Sequence, residues 1–316
     1  MSVIVACTRP HLVPGIADAL AAQDPDGACE LLVGGDVEPL RNHGFPVPTS
    51  LVEADPRDLH GIRRSLVGVA DGHVLAFLDD DACPSPGWLA AAVSCGAGGE
   101  ICTGPETPTR SSPGAVLAHR VASSWIAEGY RGHVETADRP LRWHEVPFCN
   151  LVLPRGLLEE VGLPESGLDW DVDDFDLCRR AASRGIGFRN LAALRIAHDR
   201  YPDRLGDWFG RKWRERRRTG EKLVAHPRIY LRLPGVVAAA VAPALLGAGL
   251  FATRRRPRVR LVALAGYLLA VLVASLRQGC RGRDVLRFAG AVIGLHLTTV
   301  AAVQVGIVDG VRRAGR

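Results

Sequence analysis

Residues Val74-Leu75-Ala76-Phe77-Leu78 run without a polar interruption into Asp79-Asp80-Asp81. Five apolar residues in a row suit a buried strand. Three carboxylates at its end repel one another and raise each other's pKa, so they need a compensating cation. The strand therefore ends where a cation can reach it, at the open end of a sheet. A divalent metal that in turn holds a phosphate meets this demand, and it points toward an enzyme acting on a phosphorylated donor. The alternative for the triplet is a solvated turn that caps the following helix.

The surrounding pattern supports a sheet covered by helices. Val3–Ala6, Glu30–Val33 and Val74–Leu78 read as strands, and Phe148–Leu153 and Leu194–Ala197 follow as two more. Between the first three, Leu12, Ile16 and Leu20, and then Leu59, Ile62, Leu66 and Val69, recur at helical spacing. Ser85 is expected as an N-cap with Pro86 at the first helical position. Helical stretches are expected at Ala115–Ala127 and Pro154–Val161, and another from Asp173 or Asp174 to about Ser183, acidic first and basic after. This alternation predicts an α/β fold with a mostly parallel sheet. Ligands of such sheets bind beyond the carboxyl ends of the strands, where Asp36 and Asp79–Asp81 fall.

The chain has 316 residues, 47% of them hydrophobic, and its mean hydropathy is +0.08. The excess collects after residue 232: Leu233–Thr253, Leu261–Leu276 and Phe288–Val308 contain no Asp, Glu, Lys or Arg. A span needs about 20 apolar residues, so the first and third are long enough and the second is marginal. Arginines at 211, 214, 216–218, 254–256, 258 and 260 flank the first run and suit anionic lipid headgroups. They lack interleaved aromatics, which argues against nucleic acid. Basic blocks stand on both sides of every apolar run, and Pro243 with Gly247 and Gly249 allows re-entry, so the topology stays open. The eight cysteines form no Cys-x-x-Cys pair and read as reduced, small hydrophobes. Ser2–Ala6 reads as a strand rather than an export signal, so the first region is expected in the cytosol.

Taken in order, four segments resemble family 2 glycosyltransferases, which have the GT-A fold. Val3-Ile4-Val5-Ala6-Cys7-Thr8-Arg9 is similar to that family's opening strand. Phe77-Leu78-Asp79-Asp80-Asp81-Ala82 with Pro86-Gly87-Trp88-Leu89 resembles its Asp-x-Asp segment. Asp173-Asp174-Phe175-Asp176-Leu177-Cys178-Arg179-Arg180 resembles its Glu-Asp-x-Asp-Leu helix start, with Asp in place of Glu, and Ile196-Ala197-His198 its later strand ending in a histidine. The resemblance implies a GT-A domain over 1–203, a basic juxtamembrane segment over 204–232 and a hydrophobic membrane region over 233–316. It implies Asp81 and His198 as ligands of Mg²⁺ or Mn²⁺, and Asp80 as acceptor for the donor ribose, with Asp79 supportive. Asp36 would read the nucleotide base, Thr8 would touch the nucleotide, Arg63 would touch the nucleotide or brace Asp80, and Asp173 would border the substrate. Asp174 is the candidate general base.

The expected partners are a nucleotide-sugar donor, a lipid-linked or glycan acceptor and membrane lipids, with no nucleic acid. The hydrophobic tail is similar to exopolysaccharide-type enzymes, which places the protein at a bacterial inner membrane with its catalytic domain in the cytosol. The Gln-x-x-Arg-Trp signature of processive synthases is absent, so single-sugar transfer is expected. Three rivals stand beside this reading. A polyprenyl-phosphate glycosyltransferase needs no general base, and a non-catalytic membrane protein would keep only the scaffold. A nucleotidyltransferase is disfavoured because a glycine-rich phosphate loop does not follow strand one.

Overall fold

The computed structural model describes residues 1–24, 28–127, 137–163 and 173–315; the side chains of Asp173 and Asp174 lie outside that description, as does the acidic run Asp169–Val172. Residues Met1–Thr109 and Tyr130–Arg200 form one compact unit, and Arg110–Gly129 with Tyr201–Arg316 form a second.

The strands are β1 (Ser2–Cys7), β2 (Glu30–Gly35), β3 (Thr49–Glu53), β4 (Val74–Asp79), β5 (Ala82–Pro84), β6 (Ile101–Thr103), β7 (Glu106–Pro108), β8 (Arg139–Pro140), β9 (Asn150–Pro154), β10 (Phe188–Asn190) and β11 (Ile196–His198). The helices are α1 (Val13–Ala21), α2 (Leu59–Val69), α3 (Trp88–Gly98), α4 (Pro113–Ala122), α5 (Arg155–Val161), α6 (Asp173–Ser183), α7 (Leu205–Ala225), α8 (Pro227–Tyr230), α9 (Pro234–Ala252), α10 (Pro257–Arg277) and α11 (Arg283–Ala314).

Among the described residues the larger sheet has the order β3-β2-β1-β4-β9-β6-β10-β8. β1 pairs in parallel with both β2 and β4, and β2 with β3, whereas β9 runs antiparallel to β4 and β6. The result is a mixed α/β architecture with a parallel-rich centre. Successive residues of β1 point to opposite faces, as the pleat requires. Val3, Val5 and Cys7 join Val13, Ile16, Leu20 and Trp88 on one face, and Ile4 joins Ile62, Leu66, Leu158 and Leu177 on the other. Both faces are thus covered, which is why the central strands read as unbroken apolar runs. Burial of each such side chain contributes about 1.5–3 kcal/mol. Gly34 and Gly35 let α2 and the end of β1 approach β2: a Cβ at Gly34 would press on Ile62 and Leu66, and one at Gly35 would strike the Cys7 carbonyl.

Three local expectations are corrected. Ser85 is not the N-cap: that place falls to Gly87, while the Ser85 N–H donates to the Arg195 carbonyl at 2.9 Å and its carbonyl accepts from the Trp88 N–H at 3.1 Å. Pro86 and Gly87 make a turn instead, and α3 starts at Trp88 after Gly87 with φ +86°. The helical stretch expected to reach Ala127 ends at Ala122 in α4, which begins under a Ser112 side chain that accepts from the Ala115 N–H. Finally, Cys95 and Cys102 are disulfide-bonded, their Cα atoms 6.3 Å apart across the turn between α3 and β6; the other six cysteines form no disulfide among the described residues.

In the second unit a core forms from Ala115, Ala118 and Val121 of α4, Trp208 of α7, Val271 and Ala274 of α10, and Phe288, Val292 and Leu295 of α11. Among the described residues three helices, α9, α10 and α11, are long and apolar enough to cross a membrane. Much of the apolar surface of α9 and α10 faces outward, with Leu245, Leu246, Phe251, Leu261 and Val262 all more than half exposed.

Candidate active site

The register of the large sheet brings three chain segments to one edge. Cys7 lies beside Gly35, and Ala6 beside Asp79, so β1, β2 and β4 end level with one another. Thr8-Arg9, Asp36 and Asp80-Asp81 leave the sheet there. The chain runs outward from β1 through β2 to β3 on one side, then crosses back to β4 on the other side of β1. The edge beyond β1 is thus a point of reversed strand order, where open α/β sheets bind ligands.

The small sheet β5-β11-β7 carries the fourth contribution. β11 pairs with β5 so that His198 lies opposite Ala82, and the Asp199 N–H donates to the Asp81 carbonyl at 3.2 Å. This pairing sets His198 against the acidic triplet. Its Nε2 is 3.0 Å from Asp81 Oδ1 and 3.7 Å from Asp79 Oδ2. Its Nδ1 is 2.7 Å from Glu106 Oε2 on β7, and Arg200 Nη1 approaches the same carboxylate at 3.4 Å.

Asp80 is engaged from the other side. Its Oδ2 accepts from the Thr8 N–H at 2.7 Å, the Thr8 hydroxyl at 2.8 Å and the Arg9 N–H at 2.8 Å. Its Oδ1 accepts from Arg9 Nε at 3.0 Å and from Arg9 Nη2. Arg9 Nη1 then reaches Asp81 Oδ2 at 2.8 Å. Asp80, Arg9, Asp81, His198, Glu106 and Arg200 therefore form a chain of alternating charge, in which Asp80, Asp81, Glu106 and His198 are almost fully buried. Burial works against the Asp81 charge, yet bonds to His198 and Arg9 outweigh it and hold its carboxyl well below the usual range. His198 is pushed well above an ordinary imidazole: burial opposes its charge, and bonds to Asp81, Cys149 and Glu106 prevail.

Among the described residues, two groupings have donor atoms close enough to share a metal: Asp79, Asp81 and His198, and Glu106, Cys149 and His198, each within 4.8 Å. The Cys149 thiol is pushed up to about 11 by burial, so it stays protonated at neutral pH and is a poor ligand. The first trio offers two carboxylate oxygens and one imidazole nitrogen. That donor set fits a hard divalent cation, with the nitrogen tilting it toward Mn²⁺.

The other expected residues divide. Thr8 and Asp80 are at the edge, but their polar groups are bonded to each other. Asp36 is exposed at the same edge, its N–H donating to the Cys7 carbonyl at 3.1 Å. Arg63 lies on α2 with its guanidinium 4.5 Å over the Phe148 ring. Asp173 and Asp174 occupy the first two positions of α6, and their carboxylates lie outside the described residues. Asp176, one turn on, is held by Arg179 and Arg180 of its own helix. Sequence reasoning gave no role to Arg9 or Glu106. Arg9 had a signal, since it stands two residues past the end of the first strand. Glu106 had none, standing alone between two prolines in an irregular stretch.

No family model matches the chain, and no curated protein matches it in sequence. Among solved structures it is similar to the mannosyltransferase PcManGT from Pyrobaculum calidifontis, solved in complex with GDP-Man and Mn²⁺, with a TM-score of 0.56 and 17% identity over 98% of this chain and 86% of that one. At that identity the likeness is one of fold alone: this chain shares the fold of that mannosyltransferase.

Proposed function

We propose that this protein is a metal-dependent, inverting glycosyltransferase of the GT-A, family 2 type. It moves a hexosyl unit from a nucleotide-sugar to a hydroxyl of a lipid-linked saccharide or cell-envelope glycan at a bacterial inner membrane. The observation that carries the reading is the meeting of Asp79, Asp81 and His198 beyond the ends of β1 and β4. The same fold in PcManGT was solved with a nucleotide-sugar and a divalent metal.

In this reading Asp81 and His198, with Asp79 beside them, hold Mg²⁺ or Mn²⁺. When bound, the cation offsets charge that grows on the departing diphosphate. Asp36, exposed at the end of β2, reads the base, and Thr8 and Arg63 border the nucleotide. A ribose contact by Asp80 requires Arg9 to yield its bonds to Oδ1, so Asp80 also serves to pin the turn after β1. Asp173 borders the substrate. Asp174, at the start of α6, sits where a helix favours a carboxylate's charge. It takes the proton of the acceptor hydroxyl as that oxygen attacks the anomeric carbon from the face opposite the nucleotide. Attack from that face inverts the configuration. Residues 1–203 then serve catalysis, 204–232 meet the membrane surface in the cytosol, and 233–316 anchor the protein.

The test is a panel of nucleotide-sugars offered to the purified protein in detergent with Mn²⁺, Mg²⁺ or chelator, scored for hydrolysis and transfer. Metal-dependent release of nucleoside diphosphate with one donor is the expected result. Mn²⁺-independent behaviour with no nucleotide binding by calorimetry would favour a non-catalytic scaffold.

A further inference from the structure

We propose that α11 does not cross the membrane: it is held lengthwise along α7, and α9 and α10 alone cross as a hairpin, returning the carboxyl terminus to the side where α7 lies. The inference deepens the membrane part of the reading above and is independent of its chemistry. Hydropathy alone makes α11 as good a span as the other two.

The contact between α7 and α11 runs in parallel over most of α7. Phe209 lies against Gly294, the Gly220 backbone against Val303–Ile307, and Val224 against Gly310. A Cβ at Gly220 would strike the Val303 carbonyl, and one at Gly306 the Arg217 carbonyl. The missing side chains are what allow the backbones to touch. Two ion pairs sit over this seam. Arg217 Nη2 is 2.9 Å from Asp309, and both terminal nitrogens of Arg313 bond to Glu221 at 3.0 and 3.1 Å.

The helix that α11 accompanies cannot enter hydrocarbon. Between residues 211 and 222, α7 carries Arg211, Lys212, Arg214, Glu215, Arg216, Arg217, Arg218, Glu221 and Lys222. Charged groups at that density exclude a helix from a bilayer core. A partner fused to it along its length is excluded with it.

Gln304 explains one polar residue in the apolar run of α11. Pro243 has no N–H, so the Ala239 carbonyl of α9 loses its helical partner. Gln304 Nε2 donates to the Ala239 carbonyl at 3.2 Å and to Ala240 at 2.8 Å. The amide thus supplies the bond that proline removes, where α9 leaves the α7–α11 pair. Beyond that point α9 and the first half of α10 present apolar side chains outward, Phe251 and Val262 at 68% and 72% exposure. Their occupant is lipid hydrocarbon. The turn between them closes through Arg260, which donates to the Leu250 carbonyl at 2.5 Å, and through Arg254 over the Phe251 ring. From Val241 to Ala252 α9 adds about 18 Å beyond the pair, toward the ~30 Å of a bilayer core, and the long side chains of the arginines in this turn extend that reach toward phosphates of the opposite leaflet.

Epitope tags at the amino terminus, at the carboxyl terminus and in the 254–256 turn of the full chain, with protease applied to right-side-out and inverted vesicles, test this. The two terminal tags should be lost from the same preparation, and the turn tag from the other. Terminal tags lost from opposite preparations mean that α11 crosses, and a turn tag lost with them means that the hairpin does not; either overturns the proposal. A chain wholly in the soluble fraction overturns it together with the membrane reading. An Arg217→Cys/Asp309→Cys double variant should cross-link on oxidation in membranes, and neither single variant should. Its failure with both termini on one side overturns the α7–α11 packing.

Discussion

The edge of the large sheet and the α7–α11 pair both join opposite charges, yet they do so in opposite surroundings. At the sheet edge, Asp81 and His198 are each about 97% buried, and their charges are held by one another, by Arg9 and by Glu106. Along α7–α11, Arg217 and Arg313 are 45% and 66% exposed, and glycine contacts carry the packing. Buried pairs give little net stability but cost a great deal when broken, whereas exposed pairs are worth about 0–1 kcal/mol. A protein keeps buried charge of that kind where it serves chemistry. Exposed pairs over a glycine seam serve register.

Asp81→Ala is the strongest way to break this contrast. It strands Arg9 and His198 and removes the metal donor proposed above, so transfer should fall by roughly 10³-fold and the first unit should lose about 3–5 kcal/mol. Steady-state kinetics and thermal melts check both numbers. Asp174→Asn comes next: turnover should fall by about 10²–10⁴-fold with nucleotide-sugar binding by calorimetry retained. Unchanged turnover would point instead to an acceptor that is already an anion, such as a polyprenyl phosphate. Glu106→Gln keeps the size but removes the charge that orients His198, and Mn²⁺ affinity measured by titration should drop about 10–100-fold.

A pH series sharpens the comparison from another side. Burial pushes the thiols of Cys7 and Cys29 up to about 12 and that of Cys149 to about 11, from an ordinary value of 9.0. In the unfolded chain these thiols ionise above pH 9, while in the folded one they stay protonated. Unfolding therefore gains protons' release as pH rises, and the first unit should lose stability progressively from about pH 9 to 12. At pH 8 the same thiols should resist iodoacetamide until denaturant is added. The smallest effect belongs to the second region: Arg313→Ala should cost no more than about 1 kcal/mol in a detergent melt. A loss as large as that of Asp81→Ala would erase the distinction.

The central strands were legible because each is an apolar run bounded by turn residues, and α1, α2 and α6 because their apolar or charged residues recur at helical spacing. β3 and the short strands β5–β8 and β10 were not. Two to five residues carry too little pattern, and partners such as Ile101 and Phe188 are far apart along the chain. The Cys95–Cys102 bond was hidden for a similar reason, since a spacing of seven residues says nothing until α3 ends and β6 begins. At the site, the acidic triplet and His198 stood out by residue type and position. Glu106 did not, because one carboxylate among prolines has no local signature.

Local order came from the amino-acid sequence alone: which segments are strands or helices, which strand ends carry acid, and which runs are apolar enough for lipid. Hydrogen bonding within a few residues and side-chain periodicity suffice for that. Tertiary structure decided which charges meet. His198 reaches Asp81 across 117 positions only because β11 pairs with β5, and Asp309 reaches Arg217 only because glycines let α11 lie on α7. Such contacts depend on backbones packed in three dimensions, and no short-range pattern encodes them.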